Sequence, residues 1–209
     1  MKQEIEVKLS IAPKKVEKLL NCNFIIQLAS KFEKKQLGNT YYDTAQLELK
    51  KKKIALRVRN SDGQFIQTLK TQGQSNDGLH QRLEWEWDLP TQQLDCALLP
   101  EEHWPQQIDT HQLKAIFSTN FTRQLWYFEH TSVSGVSSSI EMALDQGLVE
   151  VLGIDNTIII SELELELVSG DASALQEVAQ ILMKECVDLQ TSDISKAAKG
   201  YALLRKKIR

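Results

Sequence analysis

Cysteine is scarce: the chain has three, Cys22, Cys96 and Cys186, odd in number and widely spaced. That count excludes a disulfide framework, and the spacing fits no zinc site. All three are expected to be reduced and buried. Long apolar runs are missing too. The longest aliphatic stretch, Ile158-Ile159-Ile160, is far below the roughly 20 residues of a membrane-spanning helix. Met1-Lys2 leads straight into a charged segment, without the apolar stretch of a secretory leader. An excess of one charge is also lacking, with 25 Lys and Arg against 28 Asp and Glu. Nothing pulls the whole chain toward nucleic acid or an anionic membrane, so any anion site must be a local concentration of cations. His103, His111 and His130 show no metal-ligand spacing, and no Ser-His-Asp or Cys-His arrangement suggests a covalent nucleophile. A soluble cytoplasmic protein is expected, without nucleic-acid or membrane partners and with its oligomeric state open. No low-complexity linker or internal repeat divides the 209 residues, so one domain over 1–209 is expected.

What the chain has is alternation. In Gln3-Glu4-Ile5-Glu6-Val7-Lys8-Leu9, Ile5, Val7 and Leu9 point one way and Glu4, Glu6 and Lys8 the other. Two carboxylates side by side are unfavourable unless something lies between them. Glu162, Glu164 and Glu166 repeat the design on a strand over 158–168. Arg57 and Arg59 are the cationic counterpart, on a hairpin whose strands cover 54–59 and 64–71 around the Ser61-Asp62-Gly63 turn. Further alternating strands are expected at 38–42, 79–89, 117–130 and 139–144. Asp145-Gln146-Gly147 reads as a turn or bulge before 148–152. Helices are expected from Pro13, after an Asp43-Thr44 cap, at 91–99, from Asp171 to about Cys186, and from Ser195 to about Lys206. About eight strands, mostly in hairpins, suggest an α+β fold: a closed eight-stranded antiparallel β-barrel with flanking helices.

Strand by strand, charged faces that simply meet water are the commoner case. The joint pattern differs, because acids cluster on some strands and bases on others. Glu141 and Asp145 sit near each other, while Lys70, Arg82 and Arg123 lie on further strands. Mg²⁺ and Mn²⁺ take carboxylate and phosphate oxygens. A triphosphate needs several fixed Lys or Arg side chains. A lumen with acids on one wall and bases on the other suits a metal-chelated polyphosphate, and two metals could divide chelation from water activation. The Lys50–Lys53 run is expected to be a solvated helix face, and Arg205-Lys206-Lys207 to suit a helix C-terminus.

The Glu4-x-Glu6-x-Lys8 opening resembles the signature of the CYTH superfamily, the triphosphate tunnel metalloenzymes. Supporting segments follow in order: Tyr41-Tyr42-Asp43-Thr44, Leu56-Arg57-Val58-Arg59, Thr68-Leu69-Lys70, Gly78-Leu79-His80-Gln81-Arg82, Leu144-Asp145-Gln146-Gly147, Glu162-Leu163-Glu164-Leu165-Glu166 and Ser195-Lys196-Ala197-Ala198-Lys199-Gly200-Tyr201. The likeness is greatest to bacterial inorganic triphosphatase (tripolyphosphatase) domains. It implies an eight-stranded tunnel that hydrolyses tripolyphosphate to pyrophosphate and phosphate with Mg²⁺ or Mn²⁺, as two divalent ions. By motif, Glu4, Glu6, Asp145, Glu162 and Glu164 would hold metal. Lys8, Arg57, Arg59, Lys70, Arg82 and Arg123 would bind phosphates, with Lys196 or Lys199 from the C-terminal segment. Lys8, Arg59, Glu162 and Glu164 would act at the reacting centre. Glu84, Glu86, Glu141 and Glu166 share their faces. Relatives often carry a C-terminal helical domain, CHAD, linked to polyphosphate binding; the chain stops at Arg209, so a lone CYTH domain is expected. Thiamine- or nucleoside-triphosphatase, adenylate cyclase and a non-catalytic polyphosphate-binding module are the alternatives.

Overall fold

The computed structural model describes residues 2–28 and 32–205. The alternating segments form strands β1 (Lys2–Ser10), β2 (Glu33–Asp43), β3 (Ala55–Ser61), β4 (Gln64–Lys70), β5 (Gln74–Asn76), β6 (Leu79–Leu89), β7 (Lys114–Thr131), β8 (Ser137–Glu150), β9 (Ile158–Ser169) and β10 (Gln190–Thr191). Helices are α1 (Val16–Leu20), α2 (Asn23–Leu28), α3 (Glu48–Lys51), α4 (Ser173–Glu185) and α5 (Lys196–Arg205). Among the described residues, no helix is long and apolar enough to cross a membrane.

Eight strands run in the order β1-β9-β8-β7-β2-β3-β4-β6, and β6 pairs back with β1. The sheet therefore closes into an antiparallel barrel, with β5 and β10 as short additions on β6 and β1. Register carries the charge pattern into three dimensions. Lys8 lies opposite Glu164, Glu4 opposite Arg82, and Arg123 opposite Asp145. Opposite charges thus meet where β1 pairs with β9 and β6, β4 with β6 and β7 with β8, whereas β8 and β9 set carboxylates against each other at Asp145–Glu162 and Glu141–Glu166.

The apolar faces of the strands point outward and are covered. Leu9, Met142, Leu144, Leu163 and Leu165 pack with Leu175, Val178 and Leu182 of α4 and with Val16, Leu19 and Ile25 of the first helices. Leu56, Leu69 and Trp85 pack with Leu49 of α3 and with Leu99 and Ile108 of the long 90–113 connection. α5 instead meets the inner faces of β7, β8 and β9: Tyr201 and Leu203 join Phe117, Phe121, Val149 and Ile160. One end of the lumen is thereby apolar and filled, and the remainder is charged.

The structure differs from the sequence reading at several places. Asp145-Gln146-Gly147 is neither turn nor bulge but the middle of continuous β8. Gly147 serves close approach instead, since a Cβ there would lie 2.1 Å from the Asn120 carbonyl oxygen. The 91–99 segment holds only a short 3-10 turn, Cys96–Leu98. Its backbone is satisfied elsewhere: Gln67 accepts from the Asp95 N–H and donates to the Asp95 carbonyl. Cys22 and Cys186 are buried as expected, but Cys96 is only half-buried. The expected Asp43-Thr44 cap is present: Asp43 accepts from the Leu49 and Lys50 N–H groups and Thr44 from that of Glu48. Lys206 and Lys207 lie outside the described residues.

Candidate active site

The barrel encloses a cavity of about 850 Å³ lined by Glu4, Glu6, Lys8, Arg57, Arg59, Lys70, Arg82, Arg123, Glu164 and Lys196, among others. Each strand delivers its charges because alternate residues share a face, and closure turns those faces inward. Asp145 and Glu162 are buried at the same centre.

One carboxylate group sits on β8 and β9. Carboxylate oxygens of Asp145, Glu162 and Glu164 all lie within 4.8 Å of one another. Four cations converge on it. Lys196 Nζ lies 2.6 Å from Asp145 Oδ2, 2.6 Å from Glu162 Oε1 and 2.9 Å from Glu164 Oε1. Arg123 grips Asp145 with Nε and Nη2, both at 2.7 Å, and reaches Glu164 at 2.6 Å. Lys8 pairs with Glu164 and lies 3.5 Å from Glu162, while Lys199 pairs with Glu162. Burial alone would raise the Glu162 carboxyl; the ammoniums of Lys196, Lys8 and Lys199 outweigh it and hold it at about 2. Glu164 is held well below the carboxylate range by Lys196, Lys8 and Arg123, against the same burial. Lys8 and Lys196 are pushed up: the surrounding carboxylates outweigh burial. Three clustered hard-oxygen donors fit a divalent ion such as Mg²⁺ or Mn²⁺.

A second group joins β1, β4 and β6. Glu4 accepts from Lys70 at 2.5 Å and from Arg82 at 2.7 Å; Arg82 also reaches Glu6 at 3.1 Å and Lys70 reaches Glu84 at 3.0 Å. Burial opposes ionisation of Glu4, but Lys70 and Arg82 prevail and keep it strongly acidic. Glu4 and Glu6 thus share the cavity without joining the Asp145–Glu162–Glu164 trio. Lys8 links the groups, lying 3.8 Å from Glu6.

β3 is different. Among the described residues, neither Arg57 nor Arg59 forms an ion pair with a carboxylate. Arg59 Nε donates to Asn39 Oδ1 at 3.1 Å, and Asn39 is held by Thr119. Arg57 interacts with Tyr41, and its buried Nε has no hydrogen-bond partner. Burial and then the like charges of Arg57 and Arg123 push Arg59 down to about 10. Two guanidiniums are held in the cavity with unspent donors. Such an arrangement is costly unless an anion joins it.

Of the residues named for metal or phosphate, Glu4, Glu6, Lys8, Arg57, Arg59, Lys70, Arg82, Arg123, Glu164 and Lys196 line this cavity, Asp145 and Glu162 contact its lining, and Lys199 pairs with Glu162 behind it. Glu84, Glu86, Glu141 and Glu166 line it as well. Lys50 and Lys53 also line it; Lys51, Lys52 and Lys53 are exposed as expected, and only half-buried Lys50 departs from a solvated face. His80 is occupied elsewhere, its ring bonded to the Ser192 carbonyl. Sequence reasoning missed Asn39 and Tyr41 as holders of the arginines. The signal was there, since Asn39 and Tyr41 share one face of the strand and Tyr41 belongs to a supporting motif, but an uncharged side chain does not announce which charge it meets.

A profile of the CYTH domain matches residues 2–201. An inorganic triphosphatase of Haemophilus influenzae is 37% identical over 211 residues, covering 97% of this chain and 55% of that protein. The chain thus spans about half the length of that curated relative. A Hippeastrum protein described as a candidate adenylyl cyclase with a dominant triphosphatase activity superposes with a TM-score of 0.68 at 18% identity, covering 98% of this chain and 96% of its own. A Bacillus halodurans protein described as a candidate adenylate cyclase gives 0.53 at 26% identity, covering 94% and 97%. With motifs, barrel and profile in agreement over nearly its whole length, the chain belongs to the CYTH family.

Proposed function

We propose that the chain is a metal-dependent hydrolase of inorganic triphosphate (tripolyphosphate), releasing pyrophosphate and phosphate inside the barrel. One observation carries this reading: two arginines without carboxylate partners face a cavity whose other wall holds a compact carboxylate trio. A tripolyphosphate carries several negative charges near neutral pH and supplies the missing partners of Arg57 and Arg59. The kinship with an inorganic triphosphatase points the same way.

Arg57 and Arg59 would grip non-bridging oxygens, joined by Arg123, Lys70, Arg82 and the C-terminal lysines. Lys8 would neutralise charge between the two acidic groups. Asp145, Glu162 and Glu164 would hold divalent metal, Mg²⁺ or Mn²⁺, with Glu4 and Glu6 beside a second ion. Bound there, the metal supplies charge neutralisation and acidifies a coordinated water. The oxygen of a water oriented by Glu162 and Glu164 would attack the terminal phosphorus as the water gives up a proton to solvent. The bridging P–O bond breaks, and its electron pair leaves with pyrophosphate. Phosphoryl transfer asks the protein mainly for positioning and charge stabilisation, which a rigid barrel provides. The three free cysteines suit a reducing cytoplasm.

The test is phosphate release from tripolyphosphate, ATP and thiamine triphosphate, each with Mg²⁺, Mn²⁺ or chelator. We expect tripolyphosphate to be fastest and chelator to abolish release. No release from any of them would reject an enzyme, and faster thiamine triphosphate turnover would reject the inorganic substrate.

A further inference from the structure

Lys196 stands apart from the other lumen cations. An ammonium has three N–H donors and no acceptor. Lys196 Nζ donates to Glu164 Oε1 at 2.9 Å and forms close ion pairs with Asp145 Oδ2 and Glu162 Oε1, both at 2.6 Å. These are the same three groups whose clustered oxygens fit a divalent ion. A metal bound to all three would need the lone pairs that Lys196 uses. Ammonium and metal therefore compete for one seat. Lys199 does not fill it, since its contact is with Glu162 alone.

The local charge count gives the competition a direction. Lys8, Arg123, Lys196 and Lys199 all contact the trio, so four cations already face three carboxylates. A divalent ion added alone would enter a centre of excess positive charge in low dielectric. A polyanion arriving with it reverses the balance and offers the displaced ammonium a phosphate oxygen. Lys196 is the first residue of α5, so its side chain can swing without unwinding the helix.

We propose that Lys196 is an internal cation that occupies the metal seat of the substrate-free chain and makes metal loading conditional on the triphosphate. This rests on the proposed metal role of Asp145, Glu162 and Glu164. Metal and tripolyphosphate then bind with positive coupling, each tightening the other by the same factor. Lys196 acts on metal affinity first, whereas Arg57 and Arg59 act on the anion.

The test follows loss of the free Mn²⁺ electron-paramagnetic-resonance signal on titration into metal-stripped protein. Titrations are run alone and with a methylene-bridged tripolyphosphate analogue, corrected for binding to the analogue itself. Wild type should bind Mn²⁺ at least ten-fold more weakly alone than with analogue. Lys196→Gln should bind Mn²⁺ alone at least ten-fold more tightly than wild type and lose most of the coupling. Lys199→Gln should shift it less. Equal Mn²⁺ affinity of wild type with and without analogue overturns the proposal. So does a Lys196→Gln protein no tighter for Mn²⁺ alone. If Lys196→Gln does not fold, Lys196→Met is titrated in its place with the same expected and overturning results. Absence of Mn²⁺ binding even with analogue rejects the metal-site reading itself, and this proposal with it.

Discussion

Arg59 shows how the site trades stability for binding. Burial and two neighbouring guanidiniums lower it to about 10, so it stays charged at neutral pH at a cost it would not bear in water. Asn39 holds it in place but carries no charge. Replacing it should therefore stabilise the protein and damage the proposed activity, as at many functional sites. Arg59→Gln is expected to raise the melting temperature by about 2–4 °C, the effect of roughly 1 kcal/mol in a domain of this size. The KM for tripolyphosphate should rise about 10- to 100-fold, the loss of one charge-assisted phosphate contact. Thermal melts without ligand and steady-state kinetics check both; a lowered melt would mean that Arg59 is not strained. At this scale the sequence was most legible where charge alternates. Glu4, Lys8, Arg57 and Glu164 reveal themselves because a buried charge needs a reason. Asn39 and Tyr41 do not, because burial of an amide or a phenol is common and only the folded geometry shows what they touch.

The element on which the site depends most is α5. It reaches the lumen only because Gly200 lets its backbone approach Phe117: a Cβ there would lie 2.2 Å from ring carbon Cε2. Aromatic contact between Phe117 and Tyr201, with centroids 5.2 Å apart, continues the same interface. Tyr201 then donates to Asp43 at 2.7 Å, the carboxylate that also caps α3. Gly200→Ala should displace α5, cost about 1–3 kcal/mol as an overpacking change, and pull Lys196 and Lys199 off the carboxylates. Phe117→Leu should cost stability alone but recover part of the loss in the double variant. A double-mutant cycle by urea unfolding measures that coupling; strict additivity would place the two side chains out of contact. Elements were legible where period and turn chemistry agreed, as in the β3–β4 hairpin. They were misread where a local signal conflicted with distant pairing. Asp145-Gln146-Gly147 carries turn residues, yet β7 and β9 flank it on both sides and keep it extended. The 91–99 segment carries helical spacing, yet Gln67 captures its backbone.

At the scale of the whole molecule, the closed barrel holds its charges as paired networks, and pH dependence follows from them. Glu4, Glu162 and Glu164 all ionise below their ordinary value of 4.5, Glu162 at about 2. A carboxylate that is more acidic when folded stabilises the fold above its unfolded value and loses that stabilisation as pH falls through the folded one. Lys8 and Lys196 are raised above 10.5, so their contribution is complete below that pH and lost above it. Glu166 opposes slightly: burial, resisted by Lys2, raises it. The unfolding free energy should thus be flat from about pH 5 to 9 and fall steadily as pH drops below 4.5, Glu4 and Glu164 carrying the loss below the Glu162 value of about 2. A solvated sheet with unpaired carboxylates would show no such acid limb. Glu162→Gln tests the origin of the limb, because it removes one acidic group while nearly keeping its shape. The variant should be less stable at neutral pH, where Lys196, Lys8 and Lys199 lose a partner, and should meet the wild-type curve near pH 2. Urea titrations at stepped pH follow both curves; parallel curves over the whole range would mean that folding leaves the Glu162 ionisation unshifted and that the acid limb comes from the other carboxylates.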